Sequence, residues 1–297
     1  MQPKEPERII ASAGIEVYRI EEARMPMFAP DELFLDFDAR EHGVDALLPD
    51  EYDSDLEMLV MASSAYLVRD GDVTILVDAG VGDHRARRRP VYNDLSTGFW
   101  DRLGSVVDPE DVDIVVCTHL HVDHVGWATR EVDGVWTPAF PNAEYLFNEV
   151  EWAFLQGPSM PAVLERNGDY VADSLQPVID AGLHRVVALP RSLTPHVRLE
   201  EAPGDTPGHL LVRVSGGTDR TLALITGDAF HHVMQVRSPA LTSRFSALPE
   251  EAVRTRLRLL AESADQDVPL LAGHIASRGA LRVEREGDTG FSLIGGR

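Results

Sequence analysis

Three imidazoles and one carboxylate fall within six residues: His119, His121, Asp123 and His124, in the run Thr118-His119-Leu120-His121-Val122-Asp123-His124-Val125-Gly126. Imidazole nitrogen and carboxylate oxygen are the donors that bind zinc and related divalent metals. In extended backbone, residues two apart point the same way, so His119 and His121 can share one metal position. A turn after Val122 sends Asp123 and His124 toward a second position, at the ~3.5–4 Å spacing of catalytic metal pairs. Four side chains cannot close two metal positions. Each needs more donors and an open place for water or substrate. Three isolated residues supply them: His209 in Pro207-Gly208-His209, Asp228 in Gly227-Asp228 and His274 in Gly273-His274. In each case the adjacent glycine permits a tight turn and close approach.

Strands must deliver these groups. The apolar run 113–118 reads as a strand buried on both faces and stops at His119. Runs 221–226 and 269–272 end likewise at Gly227-Asp228 and Gly273-His274. A hairpin is expected from strands 64–68 and 73–77 with a turn at 69–72, leading into Asp78-Ala79-Gly80-Val81-Gly82. Further strands are expected at 15–20, 185–189, 196–201 and 210–214, with a last hairpin over 281–293. Helices are expected near 94–104, 145–156 and 249–265. In the last, Val253, Leu257, Leu260 and Ala264 share a stripe, while Arg254, Arg256 and Arg258 point elsewhere. Residues 157–182 read as loop-rich, and Arg85 with Arg87, Arg88 and Arg89 as a solvated face. Segment 25–60 sets Met25, Met27, Phe28, Phe34, Leu35 and Phe37 among many acids and reads as a lid or an oligomer contact. Strands in runs, separated by helices, suit two mixed sheets packed together with helices outside.

The 297 residues carry 49 acidic and 27 basic side chains, a formal charge of −22. Such a chain repels phosphate backbones and anionic membranes, so nucleic acid and membrane are excluded as expected partners in favour of a small-molecule substrate. The single cysteine, Cys117, allows no internal disulfide and reads as inert core. Residues 1–20 show no apolar secretory core, and no apolar run approaches the ~18 residues of a membrane helix. The expectation is one domain over 1–297, in the cytoplasm.

The ordered set His119-x-His121-x-Asp123-His124, His209, Asp228 and His274 resembles the metallo-β-lactamase superfamily, over roughly residues 60–290. The resemblance implies an α/β (α+β) fold, a four-layer αββα sandwich of two mixed β-sheets with metals at the sheet edge. It implies two zinc ions, with iron or manganese as alternatives. His119, His121 and His209 would hold one, Asp123, His124 and His274 the other, and Asp228 would bridge. Asp78 and Thr118 would hydrogen-bond behind the ligands. The bridging Asp228 and the segment 227–232, with Gln235 after it, resemble a branch of N-acyl-homoserine lactonases, esterases and methyl-parathion-type hydrolases. This sequence departs from it at His231, where the best-known lactonases carry tyrosine, and at Asp205, where many relatives carry histidine. A homodimer built on the N-terminal segment is a further expectation from relatives.

The implied reaction is hydroxide attack on an ester or lactone carbonyl, with Asp123 or Asp228 shuttling the proton. One of His231 and His232 is expected to orient a ligand. The sharper role for His231 is to meet the substrate oxyanion or protonate the leaving group. Met25, Met27, Phe28 and Phe230 are expected to make an apolar pocket wall suited to a hydrophobic ester or acyl lactone. The competing activities are organophosphate triester or β-lactam hydrolysis, and a mononuclear iron persulfide dioxygenase-like reaction.

Overall fold

The computed structural model describes residues 2–12, 14–217, 220–287 and 290–295. Along the chain come β1 (Glu7–Ser12), β2 (Ile15–Phe28), β3 (Tyr52–Asp53), β4 (Met58–Asp70), β5 (Val73–Val77), β6 (Ile114–Val116), the hairpin β7 (Thr129–Val132) and β8 (Val135–Pro138), β9 (Glu144–Asn148) and β10 (His184–Val187). Among the described residues, one sheet runs β1-β2-β4-β5-β6-β9-β10, with β3 also paired to β4. It is antiparallel as far as β5 and parallel from β5 through β10. The second sheet runs β11 (Arg191–Ser192), β12 (Val197–Glu201), β13 (Leu210–Gly216), β14 (Arg220–Gly227) and β15 (Leu270–Ala272). Its last pair, β14–β15, is parallel and the others antiparallel. A separate hairpin, β16 (Val283–Glu286) and β17 (Gly290–Leu293), forms as expected; its tip at 288–289 lies outside the described residues.

Alternation along the strands sets the layers. Tyr66, Val68, Ile75, Val77, Val116 and Leu146 of the first sheet meet Leu210, Val212, Ala223, Ile225 and Leu271 of the second. The intervening residues face outward. Leu67, Leu76, Val115 and Tyr145 pack with Phe99 and Leu103 of α2 (Phe99–Gly104), the helix that follows the single turn α1 (Pro30–Leu33). On the far side Leu211, Leu224 and Leu270 pack with Leu259 and Leu260 of the helix over Pro249–Gln266. Each large apolar side chain buried this way contributes about 1.5–3 kcal/mol. The result is the four-layer αββα sandwich. No described helix is long and apolar enough to cross a membrane.

Several boundaries differ from expectation. Strand β2 continues past Ile20 to Phe28, so the first part of segment 25–60 is sheet. The hydrophobic alternation fails there because Glu21, Glu22 and Arg24 are buried. Arg24 Nε donates to Glu21. Glu22 accepts from Val81 N–H, Gly82 N–H, Ser63 and Trp127. The expected helix over 145–156 is β9 followed by α3 (Glu149–Leu155), capped by Asn148, whose side chain accepts from Val150 N–H at 3.3 Å. The loop-rich stretch holds α4 (Met160–Asn167) and α5 (Gln176–Asp180). After α6 (Met234–Arg237), the long helix α7 (Pro249–Gln266) buries Ala252, Arg256, Leu259 and Leu260, and its Leu257 is 40% exposed. Nor is the arginine run a solvated face throughout. Arg85 and Arg87 are buried against Asp173.

Candidate metal centre

Topology brings every expected ligand to one end of the sandwich. Parallel β5 and β6 both finish there, delivering Asp78 and the 118–124 loop. Parallel β14 and β15 finish there too, at Asp228 and at Gly273-His274. Strand β13, antiparallel to β14, starts there, immediately after His209. Two glycines have no substitute at this edge. Gly227 has φ 47°, and a Cβ on it would lie 2.6 Å from His209 Nε2 and 2.7 Å from Thr118 Oγ1. A Cβ on Gly208 would lie 2.1 Å from Glu151 N.

The donors converge in two groups: His119, His121, Asp205 and Asp228, and Asp123, His124 and His274. Asp228 reaches both. Its Oδ1 lies 3.1 Å from His124 Nε2 and 3.2 Å from His274 Nε2. Its Oδ2 lies 3.7 Å from His119 Nε2. Asp205 Oδ2 lies 3.1 Å from His121 Nδ1 and 3.4 Å from His119 Nε2. Asp123 Oδ2 lies 3.6 Å from His274 Nε2 and accepts from the Tyr92 hydroxyl at 2.7 Å.

Backbone and carboxylate groups behind the rings fix which nitrogen faces inward. Asp78 accepts from Thr118 N–H (2.7 Å), from the Thr118 hydroxyl (2.9 Å) and from His124 Nδ1 (3.0 Å). His274 Nδ1 donates to Ala62 O at 2.7 Å. Both rings therefore turn Nε2 inward, the nitrogen a metal would take on displacing its proton. His119 Nε2, His124 Nε2, Asp205 Oδ2 and Asp228 Oδ1 are buried and meet one another at 3.1–3.4 Å without well-formed hydrogen bonds. Buried polar atoms left so are rare, and an ion is one of the things that satisfies them. The donor set thus fits metal ions.

The electrostatics agree. Burial, then the neighbouring His124 and His121, hold His119 well below the usual imidazole range. Burial also pulls at His124 and His274, but there Asp228 outweighs it. With Asp78 it holds His124 well above the usual range, and with Asp123 it holds His274 up at about 9. Burial pushes Asp228 up, but His274, His124, His231 and His119 bring it well below the carboxylate range. Without metal the cluster balances its charge with protons on the same nitrogens that would bind metal.

Six of the seven expected ligands lie in the two donor groups. His209 stands behind them. Its Nδ1 donates to Ala202 O at 2.9 Å and its Nε2 accepts from Asp228 N–H at 3.0 Å, so backbone occupies both nitrogens. Asp205 was read from sequence only as a departure, not as a donor. Its place four residues before His209, in the same Gly-Pro loop, is the signal that could have raised it. Tyr92 gave no signal. His231 Nε2 lies 3.4 Å from Asp228 Oδ2 and 3.6 Å from Asp205 Oδ1, and burial lowers its pKa. His232 turns away: its Nε2 donates to Glu51 O at 2.9 Å, and burial brings it to about 4.

Above the donors lies a cavity lined by Phe28, Met61, Phe245, Arg89 and Arg166, with His231 at its wall. Of the four residues expected to line it, only Phe28 does so among the described residues. Phe230 is packed in the core with α7, Met27 is buried beside Tyr92, and Met25 packs against the first core.

Fold and donor set together define a class, and the sequence comparison agrees with it. The chain belongs to the metallo-β-lactamase superfamily, whose family model matches residues 59–270. It is similar to an N-acyl homoserine lactonase from a Bacillus species, 23% identical over 168 residues, 52% of this chain and 58% of that one. The chain thus matches less than two thirds of that relative's length. Among solved structures it resembles the hydrolase AbOPH of the β-lactamase superfamily, with TM-score 0.81 and 21% identity over 99% of this chain and 98% of that one. It also resembles AidC, a dizinc quorum-quenching lactonase solved with the product N-hexanoyl-L-homoserine, with TM-score 0.77 and 19% identity over 98% and 96%. At these identities the likeness speaks for the fold.

Proposed function

We propose that this chain is a dinuclear zinc hydrolase that cleaves ester or lactone bonds in small molecules. One observation carries the reading: the two oxygens of buried Asp228 are divided between two donor groups, as in a bridging carboxylate. The lactonase relatives support the substrate class. His119, His121 and Asp205 would hold one ion, and Asp123, His124 and His274 the other. Two zinc ions in such a site supply hydroxide at neutral pH and polarise the carbonyl oxygen.

The protein groups have separate tasks. Asp78 keeps the proton of His124 on Nδ1, and Ala62 O does the same for His274. Tyr92, held protonated by burial and by Asp123, fixes that carboxylate. Asp123 or Asp228 would pass on the proton released from the attacking water. His231, in the cavity wall with Nε2 3.4 Å from Asp228 Oδ2, would hydrogen-bond the developing oxyanion or protonate the leaving alkoxide.

The test is metal content together with turnover of an aryl ester, acyl-homoserine and simple lactones, an organophosphate triester and a chromogenic β-lactam. About two zinc ions per chain with ester or lactone turnover, both lost in Asp228→Ala, is the expected result. One iron per chain, oxygen uptake on a persulfide and no hydrolysis would overturn it.

A further inference from the structure

The cavity above the metal donors is not simply apolar. Two guanidinium groups, Arg89 and Arg166, help to form it. Among the described residues, neither has a carboxylate within the 4.0 Å of an ion pair. Arg89 is half-buried and Arg166 exposed at the cavity rim. The fully buried arginines all have protein acceptors: Arg24 pairs with Glu21, Arg85 and Arg87 with Asp173, and Arg256 donates to the carbonyls of Ala229 and Leu241.

The two are nonetheless held in place. The Arg89 guanidinium lies 4.6 Å over the Phe245 ring and 5.9 Å from that of Phe28, and Arg166 lies 5.9 Å from Phe245. Arg89 Nε donates to Asn167 Oδ1 at 2.9 Å. Stacking uses the flat faces and leaves the N–H edges to point elsewhere. Among the described residues, no protein acceptor takes the Nη groups of Arg89 or any donor of Arg166. Two like charges are kept together, and partial burial followed by Arg89 lowers the Arg166 pKa. An anion between them would relieve both costs, and a planar guanidinium suits carboxylate and phosphate oxygens.

We propose that Arg89 and Arg166 form an anion-binding subsite. The substrate is then an ester or lactone that carries a carboxylate or phosphate some atoms away from the reacting carbonyl. This rests on the hydrolase reading and deepens it: an acyl chain alone would offer neither guanidinium an acceptor and would leave both to water.

The test compares p-nitrophenyl hemisuccinate, hemiglutarate and hemiadipate with neutral p-nitrophenyl esters of equal chain length, on the zinc-loaded protein. At least one anionic ester is expected to be favoured about tenfold in kcat/KM, mainly through KM, with the advantage shrinking in high salt. The ratio should fall near one in Arg89→Gln and Arg166→Gln, and recover in part in Arg166→Lys. A second readout needs no turnover: calorimetric binding of glutarate and 4-phosphonobutyrate against pentanoate. Whichever diacid binds tighter through the arginines identifies carboxylate or phosphate as the preferred group. Equal ratios for all esters in every protein, with diacids binding no tighter than pentanoate, overturn the subsite. Arginine-dependent diacid binding with no ester or lactone turned over by any protein would keep the subsite and remove the hydrolase reading.

Discussion

Replacing Asp78 by Asn tests how the second metal position is built. Asp78 has φ 62°, a left-handed conformation that Asn tolerates, so the backbone can stay as it is. Asp78 Oδ1 accepts from the backbone N–H of Thr118 at 2.7 Å, a donor that cannot reverse. The amide oxygen of Asn must therefore remain there. Its NH₂ then takes the place of Oδ2 and faces the Thr118 hydroxyl and His124 Nδ1, the present contacts at 2.9 and 3.0 Å. The hydroxyl can rotate and accept. The imidazole can accept only by moving its proton to Nε2, the nitrogen 3.1 Å from Asp228 Oδ1. One of the three side chains that, on the proposed reading, would hold only the second ion then has no lone pair to offer.

Loss of such a supporting partner typically costs 10- to 100-fold in metal affinity. This corresponds to about 1.4–2.8 kcal/mol. The loss should fall mainly on one ion: among the described residues His119, His121 and Asp205 make no hydrogen bond to Asp78, and the Thr118 hydroxyl, which also meets His119 Nδ1 at 3.2 Å, keeps a second lone pair for that ring. The assay is metal content by mass spectrometry after dialysis against graded chelator. The native protein should lose its two ions at neighbouring chelator concentrations. Asp78→Asn should lose the first at a 10- to 100-fold weaker challenge and keep the other. Unchanged affinity for both ions, or equal weakening of both, would refute the tautomer argument.

Two further outcomes follow from the same geometry. His231→Ala should keep both metals and lower kcat by about 10²–10⁴, the usual worth of a proton donor, and metal loss would instead make it a ligand. Asp173→Asn should remove about 3 kcal/mol at neutral pH, because buried Arg85 and Arg87 lose their counter-charge. Burial raises Asp173, but Arg87 and then Ser174 and Arg85 bring it below the usual carboxylate value. A depressed folded-state pKa gives stability that is present above the unfolded value, near 3.9, and is lost as pH falls below it. Chemical denaturation across that range should show a flatter acid limb in Asp173→Asn. An unchanged slope would refute the assignment.

The metal donors were legible because two simple rules met on them. Period-two backbone explains His119 and His121, and strand ends beside glycine mark Asp228 and His274. Asp205 escaped because at that position the sequence differs from the resembling pattern, and only distance shows that a carboxylate there reaches His119 and His121. His209 was legible as a member of the centre, but not that backbone at Ala202 and Asp228 would engage both its nitrogens. Buried charge was the other failure. Arg85 and Arg87 read as a solvated face and Arg256 as off the helix stripe, and Glu22 is likewise a type seldom buried unless paired. Their partners are 41 to 88 residues away for Ser63 and Asp173, and no local window contains them.

The position of His231 shows how far such hidden partners reach into the chemistry. The loop after Asp228 buries Phe230 and Val233 in the core with α7 and is also held by hydrogen bonds from two sides. Arg256, fully buried on α7, donates through Nε to Ala229 O and through Nη1 to Leu241 O, both at 2.9 Å. Gln235 accepts from His231 N–H at 2.7 Å with its oxygen and donates from its nitrogen to Leu241 O at 2.8 Å. The carbonyl of Leu241 thus ties the backbone of His231 to an arginine from another layer. A charged side chain that looked like solvent-facing decoration of a helix fixes the loop that aims the imidazole. The placement of His231 beside Asp228 therefore depends on α7 as much as on the strand that ends at Asp228.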